Sequence, residues 1–494
     1  MVWFLTAAIV AGVYQRLSLI LIVTGVLVAR SLWVRTRAAR LWPLLAAACA
    51  LIGWSALSTV RRGADEVARV AAGRGAALVA LEGHVASFPQ ASPFGTSFLY
   101  ETSIEGRRVR LVMRAAFFDA NYGDAFACRA RLGGGGNTDY LLARGAAGTA
   151  RVRLRDTREI RPASRGRLHQ RALWSWHRTV RTRLSRAMSG DAALALALLL
   201  GERGFLDHRV RDAVVRLGIA HLLALSGMHL TTVAALALVA ARSFARGRDL
   251  LVLAALSAYV GMVGDVASLT RAYLMAVFIV LARAVARPVS AIDALGRALL
   301  VMLLVSPTAI LSVGLQLSFA ATVAVLAALQ RFPLLRAGMR GRGEGGGRIA
   351  RRVGWVLLAA LLISVAVEVV IAPLQFHHFG RMSAVGPLAT ALFVLPVTFL
   401  QVLGMAVAAL AGVPLMGDAL VACLGACSRA ATEAVLTAAA VAPQPLAGDG
   451  PAALPYYAAL LLVWRFSRRR WAWVAAATLL VVAFRGVLAG MDFW

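Results

Sequence analysis

Long apolar runs alternate with short arginine-rich stretches along most of the chain. Several of these runs approach or exceed the length of about 18 to 20 residues that crosses a bilayer as a helix. Examples are residues 17–34, 41–60, 301–329, 353–373 and 384–410. The pattern predicts a polytopic α-helical membrane protein with about 10 or 11 spans.

The arginine clusters predict how these helices are oriented. Arginine concentrates at residues 30–40, 242–248, 283–297, 331–352 and 465–470. Turns between the clusters, such as residues 442–453, contain no basic residue. Because arginine-rich loops stay on the cytoplasmic side, we expect a multi-pass protein of the bacterial inner membrane. The same rule puts residues 61–187 on the extracytoplasmic side.

The segment from residue 61 to residue 159 has a different pattern, in which apolar and polar residues alternate. The alternation occurs in LVALEGHVASF, TSFLYETSI, RRVRLVMR, DAFACRARL and TARVRLR. Five such strands predict a small inserted β-barrel of the OB type, and a β-sandwich fragment is the alternative. The predicted organisation is N-terminal membrane helices (1–60), an OB-like domain (61–159), a basic amphipathic helix (160–189) and a channel-type membrane domain (190–494).

The excess of basic residues indicates a class of ligand for the protein. The chain of 494 residues has 53 basic and 23 acidic residues, and residues 61–187 contain 23 arginines against 10 acidic residues. Arg108, Arg110 and Arg114 share one face of a predicted strand, and aromatic residues such as Tyr100 and Phe126 lie in the same segment. A basic surface with exposed rings is typical of single-strand nucleic-acid binding. Rings that fill the barrel core are the alternative.

A second basic element follows the predicted strands. Residues 160–188 contain eight arginines and no acidic residue, with apolar residues at partial helical spacing. The pattern predicts an interfacial helix, with Trp174 and Trp176 at headgroup depth and arginine toward anionic lipid. A polyanion such as DNA can use the same face, so both partners stay open.

One stretch places polar side chains within sequence that is apolar enough for a membrane, and it is the most informative about function. It is LLLGERGFLDHRVRDAVVRLGIAHLLALSGMHL, residues 198–230, and its polar candidates are Glu202, Arg203, Arg216, His221, Ser226, Gly227 and His229. Ionisable groups inside a bilayer are costly and indicate function. Ser226 and His229 are three residues apart, so they share a helical face. The alternatives are hydrogen bonding between helices, and a hydrolase in which His221 or His229 activates Ser226 without an evident orienting acid.

These residues resemble the signature of the ComEC competence family, which forms the inner-membrane channel for transforming DNA. The matching positions are Leu200, Gly201, Gly218, His221, Leu222, Ala224, Ser226, Gly227 and His229. Further similar stretches are ASLTRAYLMAVFIVLARAVARPVSAIDAL, SPTAILSVGLQLSFAAT and APLQFHHFGRMSAVGPLATALFVLP. The resemblance implies a channel, not an enzyme, that imports single-stranded DNA. It adds Arg271, Gln316 and Ser318 to the candidate residues along the path.

The resemblance also implies partners. Many family members carry a C-terminal metallo-β-lactamase-like domain, which we do not expect here because the sequence has no His-x-His-x-Asp-His cluster. We therefore expect a separate nuclease and a DNA receptor. Since no Gly-x-x-x-x-Gly-Lys loop occurs, we also expect a separate cytoplasmic ATP-driven translocase. Single-stranded DNA and membrane lipids are the other expected partners, and no cofactor or metal is expected. The alternative function is a transporter of a small anion or lipid.

Overall fold

The computed structural model describes residues 42–466, except for 75–77, 88, 93–94, 116–121, 134–137, 162–167, 188–191, 244–246, 265, 288, 333–347, 411–415 and 449–452. The described chain divides into two compact units. The first comprises residues 42–205, Leu225–Leu315 and Met405–Val421. The second comprises Leu206–Ala224, Gln316–Gly404 and residues 422–466.

The first described helix, α1, joins apolar sequence to the β domain. It runs from Trp42 to Arg74 without a break, so the predicted domain boundary at residue 60 lies inside it. Its second half is amphipathic, because Val67 is fully buried in the barrel core and Val70 and Ala71 pack against that core. The residues just after the predicted boundary are therefore helical, and the first strand begins only at Val79.

Six strands form the β domain. They are β1 (Val79–Val85), β2 (Gln90–Ser92), β3 (Gly95–Ile104), β4 (Arg107–Ala115), β5 (Ala125–Gly133) and β6 (Gly148–Arg161). They hydrogen-bond in the order β1-β5-β6-β4-β3-β2, and β1 also pairs with β3. This last pairing closes five strands into a barrel, while β2 extends along β3. The β4–β6 pair is parallel and the others are antiparallel, which confirms the OB-like prediction.

The buried side of the strands fills the barrel with large side chains. Phe98, Tyr100, Leu111, Met113 and Phe126 are each at most 3% exposed. The Tyr100 ring lies 4.7 Å from the Phe126 ring, and its hydroxyl donates to the Phe126 carbonyl oxygen. Burial raises the pKa of the Tyr100 phenol above its ordinary value, so the hydroxyl remains a donor. The polar atom of this core residue is thereby satisfied.

Besides its contact with α1, the described part of the β domain packs on two 3-10 turns of the first unit. The short helix α2 (Thr138–Ala143), between β5 and β6, packs on the 3-10 turn Pro307–Leu311. The apolar cluster at this contact consists of Leu57, Val60, Leu142, Ile310 and Leu311. At the second place, β2 packs on the 3-10 turn Arg203–Phe205. The barrel is thus held against the turn that follows Glu202 in the sequence.

Helices make up most of the remaining described chain. They are α3 (Leu168–Ala187), α4 (Ala192–Leu200), α5 (His208–Arg216), α6 (Ala220–Leu223), α7 (Gly227–Ala240), α8 (Arg248–Val263), α9 (Ala267–Ala284), α10 (Ala291–Val305), α11 (Val313–Arg331), α12 (Arg348–Phe379), α13 (Gly386–Leu410), α14 (Met416–Val441) and α15 (Ala453–Phe466). Two-residue strands β7 (Arg381–Met382) and β8 (Leu446–Ala447) pair antiparallel. Both ends of the short helix α5 are defined by local structure. At its beginning, the Asp207 side chain accepts the Arg209 N–H, and after its end Gly218 adopts a positive φ that turns the chain away.

Five helices of the described chain are long and apolar enough to cross a membrane. They are Ala267–Ala284, Val313–Arg331, Gly354–Phe379, Gly386–Ala408 and Ala419–Val441. The protein is therefore a multi-pass helical membrane protein with a small β-barrel domain. The total of about 10 or 11 spans stays a prediction, because the apolar runs at residues 17–34 and 471–488 lie outside the described residues.

A proline interrupts the hydrogen bonding of helix α12. Pro373 has no backbone N–H, so the Val369 carbonyl oxygen, four residues earlier, has no helical donor. Adjacent tyrosines of α15 supply hydroxyl donors: Tyr456 bonds the Val369 oxygen at 2.7 Å, and Tyr457 bonds the Val370 oxygen at 3.0 Å. A carbonyl inside a membrane-spanning helix has little access to water, so the tyrosine pair stabilises the break.

We predict that Tyr456→Phe destabilises the chain by about 1–3 kcal/mol, because it leaves the Val369 carbonyl oxygen without this donor. The same change should cost much less in a Pro373→Ala background, where the new backbone N–H can bond Val369. Thermal unfolding of the purified chain in detergent, arranged as a double-mutant cycle, measures this coupling. Equal costs in the two backgrounds would show that the hydroxyl does not compensate for the proline.

Candidate nucleic-acid interface

The Ser-Gly-x-His segment forms the beginning of helix α7. Ser226 is the N-cap residue and Gly227 is the first helical residue. The backbone N–H of Ser226 donates to Nδ1 of His229 at 3.2 Å, and Ser226 Oγ lies 3.1 Å from the same nitrogen. His229 is fully buried. Its imidazole thus occupies the position that Glu or Gln usually fills in a capping box.

This capping geometry bears on the hydrolase alternative. A serine nucleophile needs a base that can take its proton. Nδ1 of His229 accepts the Ser226 backbone N–H, so its lone pair is shared between that bond and the hydroxyl. The contact between Ser226 and His229 is therefore explained by helix capping and does not require a nucleophile.

The beginning of a second helix meets this N-terminus. Ser268, in the first turn of α9, donates to the Leu225 carbonyl oxygen. Arg271, one turn later, is only 7% exposed. A Cβ added to Gly227 would lie 3.2 Å from Nη2 of Arg271, so glycine allows the guanidinium to approach. The partial positive charges of two helix N-termini therefore coincide with a buried cation, an arrangement that favours an anion.

Glu202 is buried in a cluster that the sequence did not reveal. Its Oε1 lies 2.9 Å from Nε2 of His177 and 3.7 Å from Nη1 of Arg181. Nδ1 of His177 lies 3.0 Å from the Met262 carbonyl oxygen. Since a carbonyl only accepts, Nδ1 carries a proton, and the Nε2–Oε1 hydrogen bond contains one further proton. The His177–Glu202 pair is therefore neutral as a whole, whichever partner holds that proton.

This cluster connects three segments of the first unit. His177 and Arg181 belong to α3, Glu202 follows α4, and Met262 belongs to α8. The Trp174 ring stacks on His177, with 4.9 Å between ring centroids. Glu202 therefore anchors α3 and is not available to line an open path, whereas the adjacent Arg203 is exposed.

In the second unit, Arg216 connects the end of α5 to two loops. Its guanidinium donates to the Ala442 carbonyl oxygen, and its own carbonyl accepts from the Ser383 hydroxyl at 2.7 Å. Gly218 has a φ of +73°, and a Cβ there would lie 2.8 Å from Cβ of Ser383. Both the backbone conformation and the close approach therefore favour glycine.

The other candidates of the second unit bond neighbouring elements. Nε2 of His221 lies 3.4 Å from the Thr390 hydroxyl, which joins α6 to α13. Oε1 of Gln316 lies 2.7 Å from Nε2 of His378, which joins α11 to α12. Ser318 is half-buried on α11. His221 and Gln316 thus make the helix–helix hydrogen bonds that were the alternative to a path-lining role.

The structure separates the candidates of the barrel into two groups. Arg108, Arg110 and Arg114 are exposed together on β4, as predicted. Tyr100 and Phe126 are 0% and 3% exposed, so neither ring offers a face on which a base could stack. The prediction that these two rings contact nucleic acid is wrong, and the core alternative is correct.

Helix α3 differs from the predicted interfacial helix in what covers its apolar side. Trp174, Val180 and Leu184 on that side are at most 4% exposed, as is His177 among them. An interfacial helix inserts this side into lipid, whereas here protein covers it. The amphipathic pattern is present as predicted, and protein covers Trp174, whereas Trp176 is 44% exposed. The position of the two rings at headgroup depth stays a prediction.

A family model described as Competence protein matches residues 198–471, more than half of the chain. The chain belongs to the competence protein family. Membership confirms the ComEC resemblance and indicates a role in DNA uptake for transformation. No curated protein and no solved structure matches the chain.

The part of the chain that matches the competence family includes Glu202, Ser226 and Arg271 but begins after α3. The partners of Glu202 on α3 therefore lie outside the matched region. One signal for them is present in the sequence: His177 stands three residues after Trp174 and three before Val180, on the apolar side of the helix. A polar residue at such a position indicates a buried partner.

We predict that His177→Leu destabilises this competence-family protein by about 3–5 kcal/mol, because it leaves the buried Glu202 carboxylate with Arg181 alone. The double substitution His177→Leu with Glu202→Leu should cost less than His177→Leu, since no buried carboxylate then lacks its partner. Thermal unfolding of the full chain in detergent gives both values. Additive costs of the two single substitutions would contradict a proton-sharing pair.

Proposed function

We propose that this protein conducts single-stranded DNA across the bacterial inner membrane into the cytoplasm during transformation. One observation carries the proposal: buried Arg271 lies beside Gly227 where the N-termini of α7 and α9 meet. This location is inside the region that matches the competence family. An electropositive site at the N-termini of two apolar helices suits the phosphates of a DNA strand.

The physical problem of DNA import is to move a row of negative charges through a medium of low dielectric constant. A conduit must replace the hydration of the phosphates without holding the strand too tightly. Helix N-termini provide N–H donors and partial positive charge, and a guanidinium provides a full charge with five donors. Moving the strand past such groups requires no covalent chemistry from this chain, so we propose a channel and not an enzyme.

The remaining candidates of the signature have supporting roles in this proposal. Glu202 anchors α3 through His177, and Arg216 holds a loop carbonyl. His221 and Gln316 join helices through Thr390 and His378. We assign these residues, with His229 and Ser318, to the packing shell that keeps the path in shape.

We assign the barrel to the reception of the strand on the extracytoplasmic side. Its exposed Arg108, Arg110 and Arg114 supply salt-sensitive contacts to phosphates. The contact of β2 with the turn Arg203–Phe205 puts the barrel next to the beginning of the family-matched region. Arg203 is exposed, and we propose that it contacts the DNA strand after the strand leaves the barrel.

Import by such a channel requires other proteins. We propose a DNA receptor outside, a nuclease that removes the second strand, and a cytoplasmic ATP-driven translocase, each as a separate chain. In the described residues, no group of three or more His, Cys, Asp or Glu side chains is placed to hold a metal ion. The proposal assigns no cofactor to this chain.

Internalisation of labelled DNA tests the proposal in a strain that lacks its own copy of this protein. We expect Arg271→Gln to lower internalisation at least about tenfold, because a charge-assisted contact of about 1.5–3 kcal/mol is lost. Arg271→Lys should retain part of the activity. Arg283→Gln is the matched control, since Arg283 lies on the same helix and is exposed. Wild-type internalisation by Arg271→Gln would contradict the proposal.

Two further measurements make this experiment selective. Immunoblots of membrane fractions exclude variants that fail to accumulate. Ser226→Ala should keep internalisation within a few-fold of wild type, because it removes a helix cap of about 1 kcal/mol. Complete loss of internalisation by Ser226→Ala at normal protein levels would instead favour the hydrolase alternative.

A further inference from the structure

Helix α3 presents a row of polar side chains that the family-matched region does not include. Ser175, Arg178, Thr179, Thr182 and Arg183 line a groove of about 440 Å³. Their spacing of three, one, three and one residues puts them on one side of the helix. All five are exposed. We call this row the α3 polar stripe.

The side of α3 opposite the stripe is fixed to the protein. His177 bonds Glu202 and the Met262 carbonyl oxygen, and Trp174 and Leu184 are buried beside it. These contacts set the rotation of the helix about its axis. The stripe is therefore held in one orientation, which lowers the entropic cost of binding a ligand.

The chemistry of the stripe suits phosphate. Guanidinium and hydroxyl groups are among the side-chain groups that contact DNA phosphates. Arg178 and Arg183 are five residues apart, so they are separated by about 7.5 Å along the helix axis. The bond from Nη1 of Arg183 to the Ala408 carbonyl oxygen, at 3.5 Å, uses one of five guanidinium donors. No acidic residue occurs between residues 160 and 188 to repel an anion.

Helix α3, which carries the stripe, lies near the turn on which the barrel packs. Arg181, on the side of α3 that faces Glu202, lies 5.9 Å from the ring of Phe205. Phe205 belongs to the turn on which β2 of the barrel packs. A polymer that leaves the barrel at β2 therefore meets α3 within the same unit.

We propose that the α3 polar stripe binds successive phosphates of one DNA strand between the barrel and the membrane helices. This inference rests on the proposed function and adds a contact outside the family-matched region. Anionic lipid is the other ligand with this chemistry. An interfacial helix binds lipid by inserting its apolar side. In α3, protein covers Trp174, Val180 and Leu184, whereas Trp176 is 44% exposed, and on this balance we assign the stripe to DNA.

Binding of fluorescent oligo-dT to the full chain in phosphatidylcholine nanodiscs tests this inference. For single strands, the slope of log affinity against log salt changes by about 0.7 for each phosphate contact. Arg178→Gln with Arg183→Gln should lower affinity at low salt and reduce the slope by about 1.4, which corresponds to two contacts. Arg178→Lys with Arg183→Lys should restore most of the affinity.

The matched control is Arg209→Gln with Arg211→Gln, which removes the same charge from two exposed positions of α5. This control should leave affinity and slope unchanged, and elution on size exclusion checks that every variant is folded. Wild-type affinity and slope in the stripe variant would overturn the inference while leaving the proposed function intact. No binding of oligo-dT by the wild-type chain would count against the proposed function itself.

Nanodiscs that contain phosphatidylglycerol separate DNA from lipid as the ligand. Native mass spectrometry counts the phosphatidylglycerol molecules retained by each variant. If the stripe binds DNA, the wild type and the stripe variant retain the same number. Loss of retained phosphatidylglycerol in the stripe variant, with unchanged oligo-dT binding, would assign the stripe to lipid and overturn the inference.

Discussion

The cost of a polar group inside a membrane protein is the constraint on which the rest of this structure depends. A buried charge or carbonyl without a partner costs several kcal/mol, so its neighbours must supply a partner or an aqueous surface. Oε1 of the Glu202 carboxylate meets this requirement through His177 and Arg181. The Val369 carbonyl oxygen, left without a donor by Pro373, meets it through the Tyr456 hydroxyl. Each interaction connects segments that are distant in the sequence.

The same constraint separates supporting residues from candidate DNA contacts. Glu202, Arg216 and Gln316 bond protein groups and hold elements together. Other basic groups are directed to surfaces, as in the exposed arginines of β4 and the α3 polar stripe. Arg271 differs from both groups, because it is buried and lies where two helix N-termini meet. We therefore assign DNA contact to sites where positive charge is concentrated. A polar residue within apolar sequence is not by itself such a site.

Much of the fold could be predicted from local patterns, because strands and membrane helices follow from the period and length of apolar runs. The alternation in β4 places Leu111 inside and Arg110 outside, and the barrel follows from strands of this kind. Local patterns could not decide whether aromatic residues face the core or a ligand. For Tyr100, that choice depends on strand closure and on a hydroxyl bond to Phe126. It was therefore visible only in three dimensions.

The site was less predictable, because its partners are far apart in the chain. Glu202 is one of the polar candidates in the sequence, but its partner His177 is 25 residues away on a separate helix. The amphipathic pattern of α3 is the same whether lipid or protein covers its apolar side. The periodicity of the sequence therefore could not show which of the two packs against it. The helix from Trp42 to Arg74 continues through residue 60 without a break, so its apolar pattern does not mark where packing on the barrel begins.

The central claim is that the electropositive groups of this protein face an aqueous route that a DNA strand occupies. Reaction of single cysteines with a water-soluble thiol reagent tests this claim, in a chain whose four native cysteines have been replaced. We predict that Ser268→Cys, at the N-terminus of α9 beside Arg271, reacts and that oligo-dT slows the reaction, while Leu395→Cys, on an apolar membrane helix, does not react. A Ser268→Cys chain that is unreactive, or that reacts equally fast with oligo-dT present, would contradict the proposed path.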